Sequence, residues 1–184
     1  LITYEGEEGL FPQVFFGATD PVVDPGLIIT NFDDGFSAGG YWGGITATGT
    51  DPAYTLAGNY MHGTSSSVTG WAWVWANNWI SFPSVNKADH LLKMDVWVAK
   101  PFGTTNVHFQ MELGGTRIDI GGFGITTATG TTTGWITVTY DLSTISELPA
   151  TIPAGGEWGI NFWNADGPVD ISGLYVDNIR FEHK

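Results

Sequence analysis

LLKMDVWVA, residues 91–99, alternates without a break: Leu92, Met94, Val96 and Val98 share one parity, and Lys93, Asp95 and Trp97 share the other. Successive side chains of a strand point to opposite faces, so this stretch reads as a β-strand with one apolar face and one mixed face. NVHFQMEL (106–113) follows the same rule, with Val107, Phe109, Met111 and Leu113 inward and His108, Gln110 and Glu112 outward. EWGINFWN (157–164) puts Trp158, Ile160 and Phe162 inward and leaves Glu157, Asn161 and Trp163 outside. LIIT (27–30), WAWVWA (71–76), RIDI (117–120), WITVTYDL (135–142) and LYVDNIRFE (174–182) complete the strand set. Gly, Pro, Asn, Asp or Thr clusters bound each of them.

Helical periodicity is nearly absent, and only DLSTISEL (141–148) suits a single turn. Many short strands with turn-rich links predict an all-β chain, an antiparallel β-sandwich or jelly roll. The division expected is a lead-in or linker over 1–26, with an edge strand around Val14 to Phe16, followed by one β-sandwich domain over 27–184. No internal repeat is visible, and TTATGTTTG (126–134) reads as an exposed loop.

The 184 residues carry 19 Asp and Glu against 6 Lys and Arg, a net charge of −13. That balance opposes binding to nucleic acid or to an anionic membrane surface, both of which need basic side chains. A neutral ligand meets no such repulsion. There is no cysteine, hence no disulfide framework and no thiolate metal site. No apolar run is long enough to span a bilayer, and no signal or lipidation motif appears. The chain starts at Leu1 rather than methionine, so it reads as a processed or excised piece of something longer.

If 91–99, 106–113 and 157–164 share a sheet, its outer face carries Trp97 and Trp163 beside His108, Gln110, Glu112 and Asn161. Aromatic rings rimmed by carboxylates and amides suit a sugar, whose C–H faces pack on rings while its hydroxyls seek the rim. Tyr41 and Trp42, between glycines, and Trp79, after Asn77 and Asn78, are loop aromatics that extend this candidate surface. Trp71, Trp73 and Trp75 face away from Ala72, Val74 and Ala76, and both parities are apolar. That strand is expected to be central, with two or three of its tryptophans in the core. On this reading Trp97 and Trp163 are ligand contacts and Trp73 is structural.

Catalytic signatures are missing. Glu112, Glu157 and Asp95 share outward parity, but no tight carboxylate pair of the glycosidase kind appears, so the chain is not expected to be an enzyme. GxSxG, HExxH and phosphate-loop patterns are absent, and His62, His90, His108 and His183 are too dispersed for a zinc site. No cofactor is expected beyond a structural calcium candidate, for which Asp33 in NFDDG (31–35) and Asp177 offer oxygens. The plain alternative for NFDDG is a turn made of its preferred residues.

ITNFDDG (29–35), GNYMHG (58–63), LLKMDVWV (91–98), TTGWITVTYDL (132–142), and WGINFWNADG followed by LYVDNIRF (158–181) together resemble one bacterial family. It is the C-terminal glycan-binding domain of Bacteroidetes cell-surface glycan-binding proteins, of the xyloglucan-binding type. The likeness covers about 27 to 182 in the same order, and its closing YVDNIRF is shared by many carbohydrate-binding jelly rolls.

The resemblance implies a β-sandwich like that of carbohydrate-binding modules, which binds a polysaccharide without cutting it. It also implies a lipid anchor on the extracellular face of the outer membrane, immunoglobulin-like spacers upstream, and a SusC/SusD-like uptake complex as partner. The chain is expected to act as a monomer. The ligand expected is a neutral β-linked polysaccharide: xyloglucan, mixed-linkage glucan, laminarin or a β-mannan. The alternatives are a glycoside hydrolase or its appended module, and a structural adhesion domain.

Overall fold

Period-two sequences flanked by turn formers give strands throughout. The protein is described by a computed structural model covering residues 27–33, 41–42, 45–48, 59–63, 66, 71–80, 82–103, 107–113, 116–122, 130–163 and 169–184. For 41–42, 45–48, 71–80, 107 and 160–163 the description is of the backbone and its register. The expected lead-in, 1–26, lies outside the described residues.

The strands are β1 (Ile28–Thr30), β2 (Tyr41–Trp42), β3 (Ile45–Thr48), β4 (Tyr60–Gly63), β5 (Trp71–Ile80), β6 (Val85–Asn86), β7 (His90–Val98), β8 (Val107–Leu113), β9 (Thr116–Gly122), β10 (Ile136–Asp141), β11 (Thr151–Ile152), β12 (Gly156–Trp163) and β13 (Leu174–His183). One turn of 3-10 helix, Leu142–Thr144, falls inside the stretch where a single helical turn was expected. Asp141 caps it by accepting from the Ser143 N–H at 2.9 Å.

Two antiparallel sheets form the sandwich. Sheet I has the order β10-β7-β13-β4-β3, with β1 also on β13, and sheet II has the order β2-β5-β12-β8-β9. A two-stranded β11-β6 ribbon stands beside them. Their inward rows form one core. Leu92, Met94, Val96 and Val98 from β7 meet Phe109, Met111 and Trp158 from β8 and β12, all buried. Phe109 of sheet II stacks between Trp158 (5.9 Å between centroids) and Tyr140 of sheet I (6.4 Å). Burial of this apolar surface, at about 25 cal/mol per Å², is the main force holding the sheets together.

β13 is less regular than LYVDNIRFE suggests. Leu174 and Val176 are buried before a bulge, and Ile179 and Phe181 after it, so the inward parity shifts by one. Asn178 takes up the extra residue at φ 48°, a left-handed conformation that asparagine tolerates better than most side chains. The bulge brings the Asn178 amide to Asp95 Oδ2 (3.1 Å) and turns the Asp177 carboxylate onto the Asn178 N–H (2.7 Å). Arg180, only 5% exposed, then lies opposite Lys93 on the outer side of sheet I.

Candidate functional site

In an antiparallel sheet, directly opposed residues share a face, so register sorts the candidate residues. Sheet II brings together β2, β5, β8 and β12, which carry every predicted glycan-binding residue except Trp97. β7, which carries Trp97, belongs to sheet I. The single sheet expected for 91–99, 106–113 and 157–164 is therefore two. Parity tells a side from its opposite, and it does not tell one sheet from the other.

The outward rows of sheet II run across the strands. Trp73 of β5 opposes Asn161 of β12, which opposes His108 of β8. Trp42 of β2 opposes Trp75, which opposes Gly159, then Gln110 of β8, then Asp119 of β9. Trp71 opposes Trp163 at one end. At the other end Glu157 opposes Glu112, which opposes Arg117.

The described side chains on this face form a polar band. His108 Nδ1 lies 2.8 Å from Asp119 Oδ2, and Arg117 Nη2 lies 3.4 Å from Glu112 Oε2. Gln110 has the outward parity expected of it but is only 3% exposed, so it belongs to the floor of the face rather than its rim. Gly159 beside it is buried too.

The loop aromatics are placed differently from expectation. Tyr41 and Trp42 form a short edge strand rather than a loop, because β2 pairs with β5. Tyr41 opposes Ala76, whose partner on β12 is the fully buried Trp158, so Tyr41 holds a core-parity position and Trp42 the outward one. Trp79 lies within β5. Ala76 pairs with Trp158 and Ile80 with Gly156, leaving Asn77, Asn78 and Trp79 against the single residue Glu157. The extra residues make a bulge at the end of the face.

Register also finds residues that the sequence reading put elsewhere. Two or three of Trp71, Trp73 and Trp75 were expected in the core, yet all three have the outward parity of Asn161, His108 and Gln110. Ala72, Val74 and Ala76 hold the inward positions opposite Phe162, Ile160 and Trp158. A size cue was present: small residues on one parity of 71–76 suit a neighbour strand whose own inward row is bulky.

Trp97 has other company. Its row on sheet I runs through Tyr175, its direct partner on β13, to His62 on β4. The rings stack on one another: Trp97 on Tyr175 at 5.1 Å and 27°, and Tyr175 on His62 at 4.4 Å and 6°. Trp135 adds a further ring 6.2 Å from Trp97, and His62 Nε2 donates to the Ser172 carbonyl at 3.0 Å. Rings stacked in this way present their faces to each other.

The three carboxylates of shared outward parity do not all converge. Glu112 and Glu157 oppose each other on sheet II, whereas Asp95 on sheet I accepts from Thr137 Oγ1 at 2.7 Å and from Asn178. Of the calcium candidates, Asp33 Oδ1 accepts the Asn59 N–H at 2.9 Å, and Asp177 is buried in β13 with its carboxylate on the Asn178 N–H. No group of three or more His, Cys, Asp or Glu that could hold a metal ion occurs among the described residues.

No family model matches the chain, and no curated protein does. Solved structures do. The chain is similar to SGBP-B from a complex xyloglucan utilization locus in Bacteroides uniformis, with TM-score 0.56 and 16% identity. That match covers 85% of this chain and 49% of that one, so the chain spans about half the length of this neighbour. A family 30 carbohydrate-binding module (TM-score 0.47, 12% identity, 82% and 98% covered) is a more distant match. So is the family 28 module described as specific for non-crystalline cellulose (0.47, 15%, 84% and 94%). The first of these likenesses establishes the fold, a β-sandwich of antiparallel strands.

Proposed function

We propose that this chain is a non-catalytic glycan-binding domain that holds a neutral β-linked polysaccharide on the outer face of sheet II. The observation that carries the reading is the register, which sets Trp42, Trp71, Trp73, Trp75 and Trp163 on the same outward face as Asn161, His108, Gln110 and Asp119. Flat apolar positions beside hydrogen-bonding ones match the two sides of a pyranose ring. The net charge of −13 favours an uncharged polymer over a sulfated or uronic one. Trp97 and Tyr41 are left out of this surface, Trp97 because it belongs to the other sheet and Tyr41 because its parity is inward.

The ligands that fit are xyloglucan, mixed-linkage glucan, laminarin or a β-mannan. The sequence resemblance supports a place on the outer face of a bacterial outer membrane, as a monomer beside a SusC/SusD-like uptake complex, and the similar Bacteroides uniformis protein comes from a xyloglucan utilization locus. The calcium candidates Asp33 and Asp177 have no part in it.

Native affinity electrophoresis tests the reading against xyloglucan, mixed-linkage glucan, laminarin, galactomannan, xylan and alginate. The expected result is retardation by at least one neutral β-glycan and none by alginate, with no new reducing ends in the polymer. Release of reducing ends, abolished by Glu112→Gln, would instead support the hydrolase alternative. Migration unaffected by every polymer would remove the reading.

A further inference from the structure

The outward positions of sheet II are not mixed at random. Trp71, Trp73 and Trp75 follow one another at alternate residues of β5, so they form a line along the strand. At 3.2–3.4 Å per residue that line is about 13 Å long. Trp163 opposes its first member and Trp42 its last, each on a different side of β5. Of the groups that hydrogen-bond, His108, Gln110, Glu112, Asp119 and Arg117 lie on β8 and β9, on the far side of β12, and Asn161 and Glu157 lie on β12 itself. The face thus grades lengthwise from an aromatic strip on β5, through the mixed strand β12 with Trp163, Asn161 and Glu157, to a polar strip on β8 and β9. Gly159 lies between them, where Trp75 and Gln110 flank it in register.

Resting on the glycan-binding reading above, we infer that the ligand is an extended polysaccharide chain lying parallel to β5, with one hydroxyl edge toward β8 and the other toward the short edge strand β2. A chain crossing the strands would meet a single row, with two tryptophan positions at most: Trp71 and Trp163, Trp73 alone, or Trp42 and Trp75. A chain running with them meets three tryptophan positions in succession. Charge agrees with a neutral polyol as occupant. Glu112 and Asp119 outnumber Arg117 in the polar strip, with Glu157 beside them on β12, so sugar hydroxyls have carboxylate acceptors there while anionic groups are repelled.

The two orientations separate in a pair of variants. The intact chain, Trp71→Ala and Trp75→Ala are run in affinity gels of the retarding polysaccharide. They are then titrated calorimetrically with β-1,4-gluco-, β-1,3-gluco- and β-1,4-manno-oligosaccharides from disaccharide to hexasaccharide. A chain along β5 requires both variants to weaken polymer and hexasaccharide binding by about 10- to 100-fold, the range of an aromatic anchor. It also requires affinity to climb with length, and the two losses to be unequal for the disaccharide. Trp71→Phe and Trp75→Phe, which keep a ring, should retain most of the affinity and guard against misfolding as the cause. Loss in only one of the two alanine variants, or affinity that ignores chain length, overturns the orientation and leaves the binding reading intact. Failure of every polysaccharide to retard the unmodified chain overturns both.

Discussion

On the outer side of sheet I, Lys93, Asp95, Arg180 and Glu182 keep 24%, 14%, 6% and 19% of their side-chain exposure. On the outer side of sheet II, His108, Asp119, Glu112 and Arg117 keep 28%, 34%, 29% and 43%. Both faces combine aromatics with charges, and they spend them differently. On sheet I, Arg180 Nε donates to Glu182 Oε1 at 2.8 Å, its Nη1 donates to the Asn178 carbonyl at 2.8 Å, and Lys93 donates to Glu182. Beyond these ion pairs the rings of Trp97, Tyr175 and His62 stack together. That face is bound to itself. Sheet II keeps its paired polar groups, His108 with Asp119 and Arg117 with Glu112, more exposed and beside tryptophan positions, which suits holding something else.

The contrast predicts separable phenotypes. The largest effect belongs to sheet I. Arg180→Met leaves Glu182 and Asp95 without their buried partner and should cost about 3–5 kcal/mol of stability, read by denaturant unfolding. Glycan affinity of the folded fraction should stay as it was. Trp97→Ala comes next. Loss of a partly exposed stacked ring should cost about 2–3 kcal/mol, less than a fully buried tryptophan, with binding within about twofold of the parent. If Trp97→Ala instead abolishes binding while stability holds, the division of labour between the faces is wrong.

Trp73→Ala should do the reverse. Binding should fall by about 1–3 kcal/mol, whereas stability should move by less than about 1 kcal/mol because the position is outward. A large loss of stability in this variant would return β5 to the core role that its sequence suggests.

The smallest effect is acidic. Burial pushes the Glu182 carboxyl up, but hydrogen bonds from Lys93 and Arg180 and their positive charges outweigh it and hold the group below its ordinary 4.5. A carboxyl depressed by folding contributes its stability above the unfolded value, and that contribution is lost as pH falls through the lower folded value. Stability should therefore decline below about pH 4.5, and Glu182→Gln should flatten part of that decline in pH-dependent thermal unfolding.

Much of the sandwich was legible because alternation was clean where one face is buried. In β7, β8 and β12 the inward rows were assigned from parity alone, and the described members of those rows are buried. Sheet membership was not legible, since Met94 of sheet I and Met111 of sheet II belong to equally apolar rows. That is why Trp97 was grouped with His108. β5 was ambiguous for another reason: tryptophan on one parity and Ala or Val on the other leave hydropathy silent about which side is inward. Pairing with Trp158 decides it. In β13 the run DNIR hid a bulge, and no periodic pattern reveals that Ile179 and Phe181 fall inward on the opposite parity to Leu174 and Val176. β2 and β11 have two residues each, too short for any period to register.

The most direct test of the division between the faces is one native affinity gel containing the retarding β-glycan, with the unmodified chain, Trp73→Ala and Trp97→Ala in adjacent lanes. Retardation kept by Trp97→Ala and lost by Trp73→Ala is the predicted result. Retardation lost by Trp97→Ala and kept by Trp73→Ala, with both variants folded, would place the ligand on sheet I and contradict the account.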